Sequence, residues 1–196
     1  MRNAPTHVAR GAGLGNREAD PIMAESERRM VPNATAYLAL GTNLGDRADN
    51  LRLALASLGA QLTLEAVSPC YESEPAYVLE QPRFYNLACH AKTTLGPLDV
   101  LHVFKKTEAA MGRGAGMRFG PRLIDLDLLF YDALNLDSPE LTIPHARLPE
   151  RSFVLVPLAD IAPDLVHPEL GLTITDLRDR LGDTRDLVWP VEGIDL

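Results

Sequence analysis

The segment Leu123–Asp132, LIDLDLLFYD, restricts the fold of this chain more than any other part of the sequence. Successive side chains of a β-strand point to opposite faces of the sheet. One face then carries Leu123, Asp125, Asp127 and Leu129, and the other carries Ile124, Leu126, Leu128 and Phe130. The second face is entirely apolar, which predicts a strand over Leu123–Tyr131 with that face in the core.

The two aspartates of this strand stand side by side on the face opposite the core. The rise of a strand places the Cα atoms of Asp125 and Asp127 about 6.6 Å apart. Carboxylates at this distance repel each other unless a cation lies between them, and hard oxygen ligands together with phosphate oxygens suit Mg²⁺. Two exposed aspartates on a solvated face are the alternative, and the pair by itself leaves both interpretations open.

Strands and helices alternate along the chain, which predicts an α/β or α+β fold. Further strands are predicted over Ala36–Leu40, Gln61–Ser68 and Tyr85–Thr93, and helices over Asp46–Leu58, Leu98–Met111 and Ile174–Leu181. The length of 196 residues suits one domain. We expect a flexible N-terminal extension over 1–34, the domain over 35–190 and a C-terminal tail over 191–196.

Composition and charge exclude several classes of protein. Hydrophobic residues make up 46% of the chain and charged residues 23%, so whole-chain disorder is excluded. No apolar run approaches the roughly 18 residues that a membrane span requires. The net charge of −8 argues against duplex DNA or an anionic membrane as main partner. Cys70 and Cys89 suggest buried free thiols in a reducing cytosol, and thus a cytoplasmic protein.

Arginines cluster around the aspartate strand. The glycine-rich segment Gly112–Arg122 precedes it, and fewer than forty residues contain one histidine and five arginines: Arg113, Arg118, Arg122, His145, Arg147 and Arg151. Guanidinium groups grip phosphates in a bidentate manner, so the cluster favours a polyphosphate ligand under a mobile lid. A surface loop with solubilising arginines is the alternative.

An aromatic stretch, Cys70–Asn86, offers a second type of ligand site. Phe84 and Asn86 share one face if a strand begins near Tyr85. An aromatic ring beside a carboxamide can stack on a flat heterocycle and hydrogen-bond its edge. The alternative is that the aromatic residue belongs to the core and the Asn caps a turn, which would give the same sequence pattern.

Taken together, these motifs resemble those of the 6-hydroxymethyl-7,8-dihydropterin pyrophosphokinases of folate synthesis. The resemblance covers about Ala36–Leu181 and rests on ALGTNLGDR, SEP followed by QPRFYN, the glycine–arginine segment, FGPRLIDLDLL and IPHARLPERSFVLVPLADIAP, in that order. It implies an enzyme that transfers pyrophosphate from ATP to the pterin hydroxymethyl group and releases AMP. It also implies a ferredoxin-like three-layer sandwich, a mostly antiparallel sheet flanked by helices.

The resemblance further implies the site residues and ligands. Two Mg²⁺ ions would be held by Asp125 and Asp127, and catalysis would involve these two residues with Arg113 and Arg122. The pterin would contact Ser73, Glu74, Pro75, Phe84, Asn86 and Phe153. ATP would contact Glu108, Arg113, Arg118, Arg122, His145 and Arg151. We expect a monomer whose partners are these two small substrates, with no nucleic acid or membrane.

Two other functions are compatible with the same residues. Paired strand carboxylates with two metals also serve nucleotidyl transfer, which would release pyrophosphate instead of AMP. A non-catalytic pterin- or nucleotide-binding partner in a folate-pathway assembly would bind both ligands and release no product.

Overall fold

The computed structural model describes residues 33–112, 120–185 and 187–196. The predicted N-terminal extension falls almost entirely outside these ranges and stays a prediction. At the other end of the chain, Val191 and Ile194 pack against the core, and Arg52 donates a hydrogen bond to the carbonyl of Asp195 at 2.8 Å. Within the described ranges, no helix is both long enough and apolar enough to cross a membrane.

Within these ranges strands and helices are mixed along the chain, as runs of one to three strands separated by helices. The strands are β1 Ala34–Thr42, β2 Thr63–Val67, β3 Tyr71–Ser73, β4 Phe84–Thr93, β5 Asp125–Tyr131, β6 Leu136–Asp137, β7 Thr142–Ile143 and β8 Val188–Pro190. The helices are α1 Arg47–Gly59, α2 Pro97–Ala110, α3 Ser152–Ile161 and α4 Ile174–Arg180, with a short 3₁₀ turn at Leu148–Glu150. Each element predicted from the sequence is present, with its ends within two residues.

Local signals explain where three of the helices begin. Asp46 caps α1 by accepting a hydrogen bond from the backbone N–H of Asp49 at 3.0 Å. Pro97 occupies the first turn of α2, where its missing N–H costs nothing. Thr173 and Asp176 cap α4 reciprocally in a capping box.

The main sheet is antiparallel and has the order β5-β1-β4-β3-β8, while β2 also pairs with β4. The chain runs through β1, α1, β2, β3, β4, α2 and β5. Strand pairing places β1 between β4 and β5. The predicted class, a mostly antiparallel sheet flanked by helices, is confirmed.

Each face of the sheet is covered by its own pair of helices. On one face, Leu38 and Leu40 of β1 pack with Leu58 of α1 and Phe104 of α2. On the other face, a second buried cluster joins strand residues to α3 and α4 and contains Ala39, Ala88, Leu129, Phe130, Val154, Leu155, Leu158, Ile174 and Leu177. The second helix pair covers only part of its face, and the uncovered end carries the polar residues described below.

The predicted face of Phe130 is wrong. The register between β1 and β5 shifts between Tyr37 and Leu38, which pair with Phe130 and Leu128. Leu129 is the extra residue of this bulge, and the alternation therefore changes after it. Phe130 joins Leu129 in the cluster under α3 and α4 instead of sharing a face with Leu128.

Helix α3 has no counterpart among the elements predicted from the sequence. Pro157 lies inside it, and the β-branched residues Val154 and Val156 precede this proline in the same helix, a composition that disfavours helix on local grounds. Burial decides the outcome, because Val154, Leu155 and Leu158 are almost completely removed from solvent between the sheet and α4. Tertiary packing supplies the stabilisation that intrinsic propensity lacks.

The two leucines of α1 give a direct test of this core. Leu58 is fully buried and Leu53 is 53% exposed. We expect Leu58→Ala to lower the free energy of unfolding by about 2–5 kcal/mol, because a buried cavity remains. Leu53→Ala is the matched control and should change it by less than about 0.5 kcal/mol. Urea denaturation measures both, and equal losses would contradict the assigned packing.

Candidate active site

The register of β1 with its two neighbours assembles the polar end of the sheet. Gly41 lies opposite Asn86 of β4 on one side and opposite Asp125 of β5 on the other, and Ala39 lies opposite Asp127. Residues directly opposite each other share a face, so these side chains project from the same surface. A Cβ atom at Gly41 would lie 3.4 Å from Asn86 Oδ1, and glycine therefore keeps this surface open between the two polar groups.

A cavity of about 690 Å³ opens on this surface. The residues predicted for the pterin and the metal that line it are Ser73, Glu74, Phe84, Asn86, Asp125, Asp127 and Phe153, together with Arg122 and Arg151. Pro75 is buried directly after Glu74. One cavity thus contains most of the residues selected from the sequence.

Two aromatic rings line the cavity from different elements. Phe84 is the first residue of β4 and Phe153 lies in the first turn of α3, and both rings are half-buried. Next to them, the Asn86 side-chain amide donates a hydrogen bond to Ser73 Oγ at 2.9 Å. This bond fixes the carboxamide, whose oxygen faces Gly41. Such a site can stack a flat heterocycle and bond its polar edge.

Each aspartate of β5 is paired with an arginine. Arg122 Nη1 lies 2.7 Å from Asp125 Oδ2, and Arg151 Nη1 lies 2.9 Å from Asp127 Oδ2. The carboxylates are about 30% exposed, so these pairs form where the site opens to solvent. Burial opposes the charge of Arg151, but its hydrogen bonds to Tyr77 and Asp127 raise its pKa overall.

His145 completes the surroundings of Asp127. Its Nε2 lies 3.9 Å from Asp127 Oδ2, and its Nδ1 accepts a hydrogen bond from the N–H of Arg147. Burial lowers the pKa of His145, although the nearby Asp127 works in the opposite direction. The neutral ring therefore carries its proton on Nε2, directed toward the carboxylate.

Glu108 lies beneath this surface rather than in the cavity. Its side chain is 3% exposed, and one oxygen accepts a hydrogen bond from the N–H of Leu126 at 2.9 Å. The other oxygen binds the Lys105 ammonium at 3.0 Å. Since Leu126 separates the two aspartates on an edge strand, Glu108 secures the backbone that carries them.

A second cavity of about 410 Å³ adjoins the first. Lys105, Asp127 and Arg151 line both cavities, while Leu128, Thr142 and His145 line only the second. The junction of the two cavities therefore contains one carboxylate and two cations. Two ligands that occupied these cavities would meet at the junction.

Asn43 connects the segments on either side of the larger cavity. Its side chain is almost fully buried, and its amide donates to Gln81 Oε1 and to the Pro82 carbonyl at 3.1 and 3.0 Å. Its oxygen accepts from the N–H of Arg122 at 2.8 Å. Asn43 thus holds the chain that leads into Phe84 and the chain that leads into Asp125.

Three residues of the site were not found from the sequence: Asn43, Tyr77 and Lys105. Asn43 stands in the turn GTNLG at residues 41–45, where Asn is ordinary, and neither its burial nor its partners can be recognised from that motif. Lys105 could have been recognised from the sequence, because it precedes Glu108 by about one helical turn, the spacing at which side chains of opposite charge pair. Arg113 and Arg118 lie outside the described residues, so their predicted roles stay predictions.

The aspartate pair is the candidate metal centre of the site. Among the described residues, no group of three or more His, Cys, Asp or Glu side chains is arranged to hold a metal ion. Asp125 and Asp127 offer hard carboxylate oxygens on one face of one strand, and Mg²⁺ commonly takes only one or two protein carboxylates when a phosphate ligand supplies the rest.

Solved structures share this fold. The HPPK-DHPS of Plasmodium falciparum, in a structure with pterin and p-hydrobenzoate, aligns with a TM-score of 0.62 at 21% identity, covering 82% of this chain and 46% of that one. Another HPPK-DHPS structure, in complex with substrates, gives a TM-score of 0.65 at 15% identity. This chain therefore shares the fold of a part of each of these HPPK-DHPS chains, a little under half of their length.

Sequence comparison gives the family. The family model of 7,8-dihydro-6-hydroxymethylpterin-pyrophosphokinase (HPPK) matches residues 37–163. The 2-amino-4-hydroxy-6-hydroxymethyldihydropteridine pyrophosphokinase of Bacillus subtilis is 43% identical over 131 residues, which cover 66% of this chain and 78% of the relative. This chain belongs to the HPPK family.

Other relatives are much longer. The folic acid synthesis protein FOL1 of Dictyostelium discoideum is 43% identical over 146 residues, 74% of this chain. The match spans only 22% of that protein. The chain therefore corresponds to about a fifth of this relative and to most of the bacterial one.

The role of Asn43 can be tested by stability. We expect Asn43→Ala to lower the free energy of unfolding by about 1–3 kcal/mol, because buried hydrogen-bonding groups of two segments lose their partner. Asn135→Ala, at an exposed position, is the control and should change little. Urea denaturation measures the free energy of unfolding of both variants. Equal losses would contradict the role of Asn43 in holding the two segments.

Proposed function

We propose that this chain is an ATP-dependent pyrophosphokinase that transfers the terminal diphosphate of ATP to the hydroxymethyl group of 6-hydroxymethyl-7,8-dihydropterin and releases AMP. The main support is that two cavities meet at Asp127, Arg151 and Lys105. A transfer between two substrates needs such a junction of charged groups. The names of the relatives support the same activity.

The pterin is assigned to the larger cavity. Its volume of about 690 Å³ is within the usual range for small-molecule sites. Phe84 and Phe153 offer two rings for the flat bicycle, and Asn86 offers a carboxamide for its polar edge. Because Asp125 and Asp127 line the same cavity, a pterin stacked there directs its hydroxymethyl group toward the carboxylates.

ATP is assigned to the smaller cavity and the junction. Leucines of this cavity, Leu101, Leu128 and Leu141, provide apolar surface for a base. The phosphate chain then lies at the junction, where Lys105 and Arg151 neutralise its charge, with Arg122 beyond it. Glu108 acts indirectly in this proposal, through Lys105 and through the backbone of Leu126.

Asp125 and Asp127 would hold the two Mg²⁺ ions. Oδ2 of each side chain contacts a guanidinium group, which supports the access of a cation to both carboxylates. Mg²⁺ supplies charge neutralisation of the phosphates and activation of the hydroxyl when it is bound. Arg122 and Arg151, once released from the carboxylates, are placed to bind phosphate oxygens.

The reaction itself is a displacement at phosphorus. The hydroxymethyl oxygen attacks the β-phosphorus and loses its proton to solvent water, while the bond from this phosphorus to the α,β-bridging oxygen breaks. AMP leaves with that oxygen. Such transfers depend on alignment and on stabilisation of charge more than on covalent help. Arg151 and Lys105 supply charge stabilisation, and the stacked rings supply alignment.

A cytoplasmic location and a monomeric state remain predictions.

Formation of AMP tests the proposal. We expect AMP to accumulate only when the chain, ATP, Mg²⁺ and 6-hydroxymethyl-7,8-dihydropterin are all present. Asp127→Asn should lower kcat/KM by about 10²–10³-fold, since loss of one group that stabilises transition-state charge costs about that much. Asp164→Asn, at an exposed position, is the matched control.

The products also separate the alternatives. Release of pyrophosphate with a nucleotidylated acceptor would identify nucleotidyl transfer. Binding of both ligands without any product by folded protein would identify a non-catalytic partner. Either result would overturn the proposed activity.

Lys105 and Lys106 form a second matched pair of variants. They are adjacent exposed residues of α2, but only Lys105 lines the two cavities. We expect Lys105→Gln to raise the KM for ATP about tenfold or more, because a hydrogen bond between charged groups is lost. Lys106→Gln should leave the KM unchanged. Steady-state kinetics at saturating pterin measures the KM for ATP of each variant. An equal KM for both variants would contradict the assignment of Lys105 to the nucleotide site.

A further inference from the structure

Glu140 is a carboxylate that lines the smaller cavity and has no role in the reaction described above. It is exposed to solvent and does not line the larger cavity. Each of the three Lys and Arg side chains that line the smaller cavity pairs with a different carboxylate: Lys105 with Glu108, Arg147 with Glu150 and Arg151 with Asp127. In the described part of the chain none of these cations pairs with Glu140, so its carboxylate is available to a ligand.

The turn that carries Glu140 is held by hydrogen bonds across it. This turn connects β6 to β7, and Ser138 donates to the Leu141 carbonyl from its backbone N–H and from its hydroxyl, both at 3.0 Å. The Ser138 hydroxyl oxygen also accepts from the N–H of Leu141 at 3.1 Å. The backbone therefore fixes where Glu140 stands at the cavity, as a residue that recognises a ligand requires.

The chemistry of a carboxylate limits the part of a nucleotide that Glu140 can contact. Its charge repels the phosphate chain, which the proposed function places at the junction with Lys105 and Arg151. An ionised carboxylate only accepts hydrogen bonds, so its partner must be a donor. The donors of ATP are the ribose hydroxyls and the amino group of the base. The base is assigned to the leucines of this cavity, among them Leu141 directly after Glu140, and the ribose is attached to that base.

We propose that the Glu140 carboxylate accepts a hydrogen bond from the ribose 2′-hydroxyl and makes the site selective for ribonucleotides over 2′-deoxyribonucleotides. This inference rests on the proposed function, which assigns ATP to the smaller cavity. An Asp or Glu that accepts from a ribose 2′-hydroxyl is also found in dinucleotide-binding folds. A nucleotide without this hydroxyl loses a hydrogen bond to a charged group and gains nothing in its place.

The experiment compares two nucleotides that differ only in this hydroxyl. Isothermal titration gives the Kd values of ATP and 2′-deoxy-ATP for the full chain with Mg²⁺ and without pterin, so that no acceptor is present for transfer. The selectivity factor is the Kd of 2′-deoxy-ATP divided by the Kd of ATP. We expect a factor of about ten or more for the unaltered chain, the value of one hydrogen bond to a charged group.

Glu140→Ala removes the acceptor, and we expect its selectivity factor to fall to about one. Loss of the charge alters the affinity for both nucleotides alike, because they carry the same phosphates, so the factor isolates the hydrogen bond. Glu169→Ala is the matched control, since it removes the same charge at an exposed position that lines neither cavity. It should keep the full factor. Since Glu140 is exposed, its Ala variant should fold normally, which thermal unfolding verifies.

Inosine triphosphate tests the other donor of the nucleotide, because it lacks the amino group of the base. If Glu140→Ala abolished a preference for ATP over inosine triphosphate and kept the full 2′-deoxy factor, Glu140 would contact the base, and the ribose contact would be overturned.

The remaining outcomes separate this inference from the proposed function. Equal Kd values of ATP and 2′-deoxy-ATP for the unaltered chain would overturn the role of Glu140, while AMP formation would still support the activity. Failure of the unaltered chain to bind ATP or to form AMP would overturn both.

Discussion

The site depends on one constraint, the register of β1 between β4 and β5. Backbone pairing sets Gly41 opposite Asn86 and Asp125, so a carboxamide and a carboxylate lie on either side of a residue without a side chain. Shifting either pairing by one residue would turn that set of side chains to the opposite face. The helices on the other face bury β1 and thereby fix the register.

Charge balance is the second principle of the site. The repulsion between two carboxylates on one strand face is offset because each is paired with an arginine. The same arginines are the groups that a phosphate chain needs. Under the proposed function, substrate binding would exchange partners within one set of charges: metal ions would bind the carboxylates as the arginines move to phosphates. A buried Glu108 holds the backbone of this strand during such an exchange.

Much of the fold and some of the site could be predicted from local pattern. Alternation in β5 placed both aspartates on one face, and helical spacing placed α1 and α2 within a residue or two. Phe130 was assigned to the wrong face, because a bulge is a property of a strand pair and cannot be recognised in one strand. Helix α3 was missed because Pro157 and the valines oppose it locally, while burial under α4 stabilises it.

The sequence by itself determined the class of fold, the family and the chemical types in the site: two strand carboxylates, a set of arginines and aromatic rings beside a carboxamide. These follow from periodicity and motif order, which are local properties. Only the tertiary structure decided that Asp127, Arg151 and Lys105 form the junction of two cavities, and that Asn43 and Tyr77 join segments far apart in the chain. Such contacts depend on strand register and helix packing, which bring together residues whose separation in sequence carries no local signal.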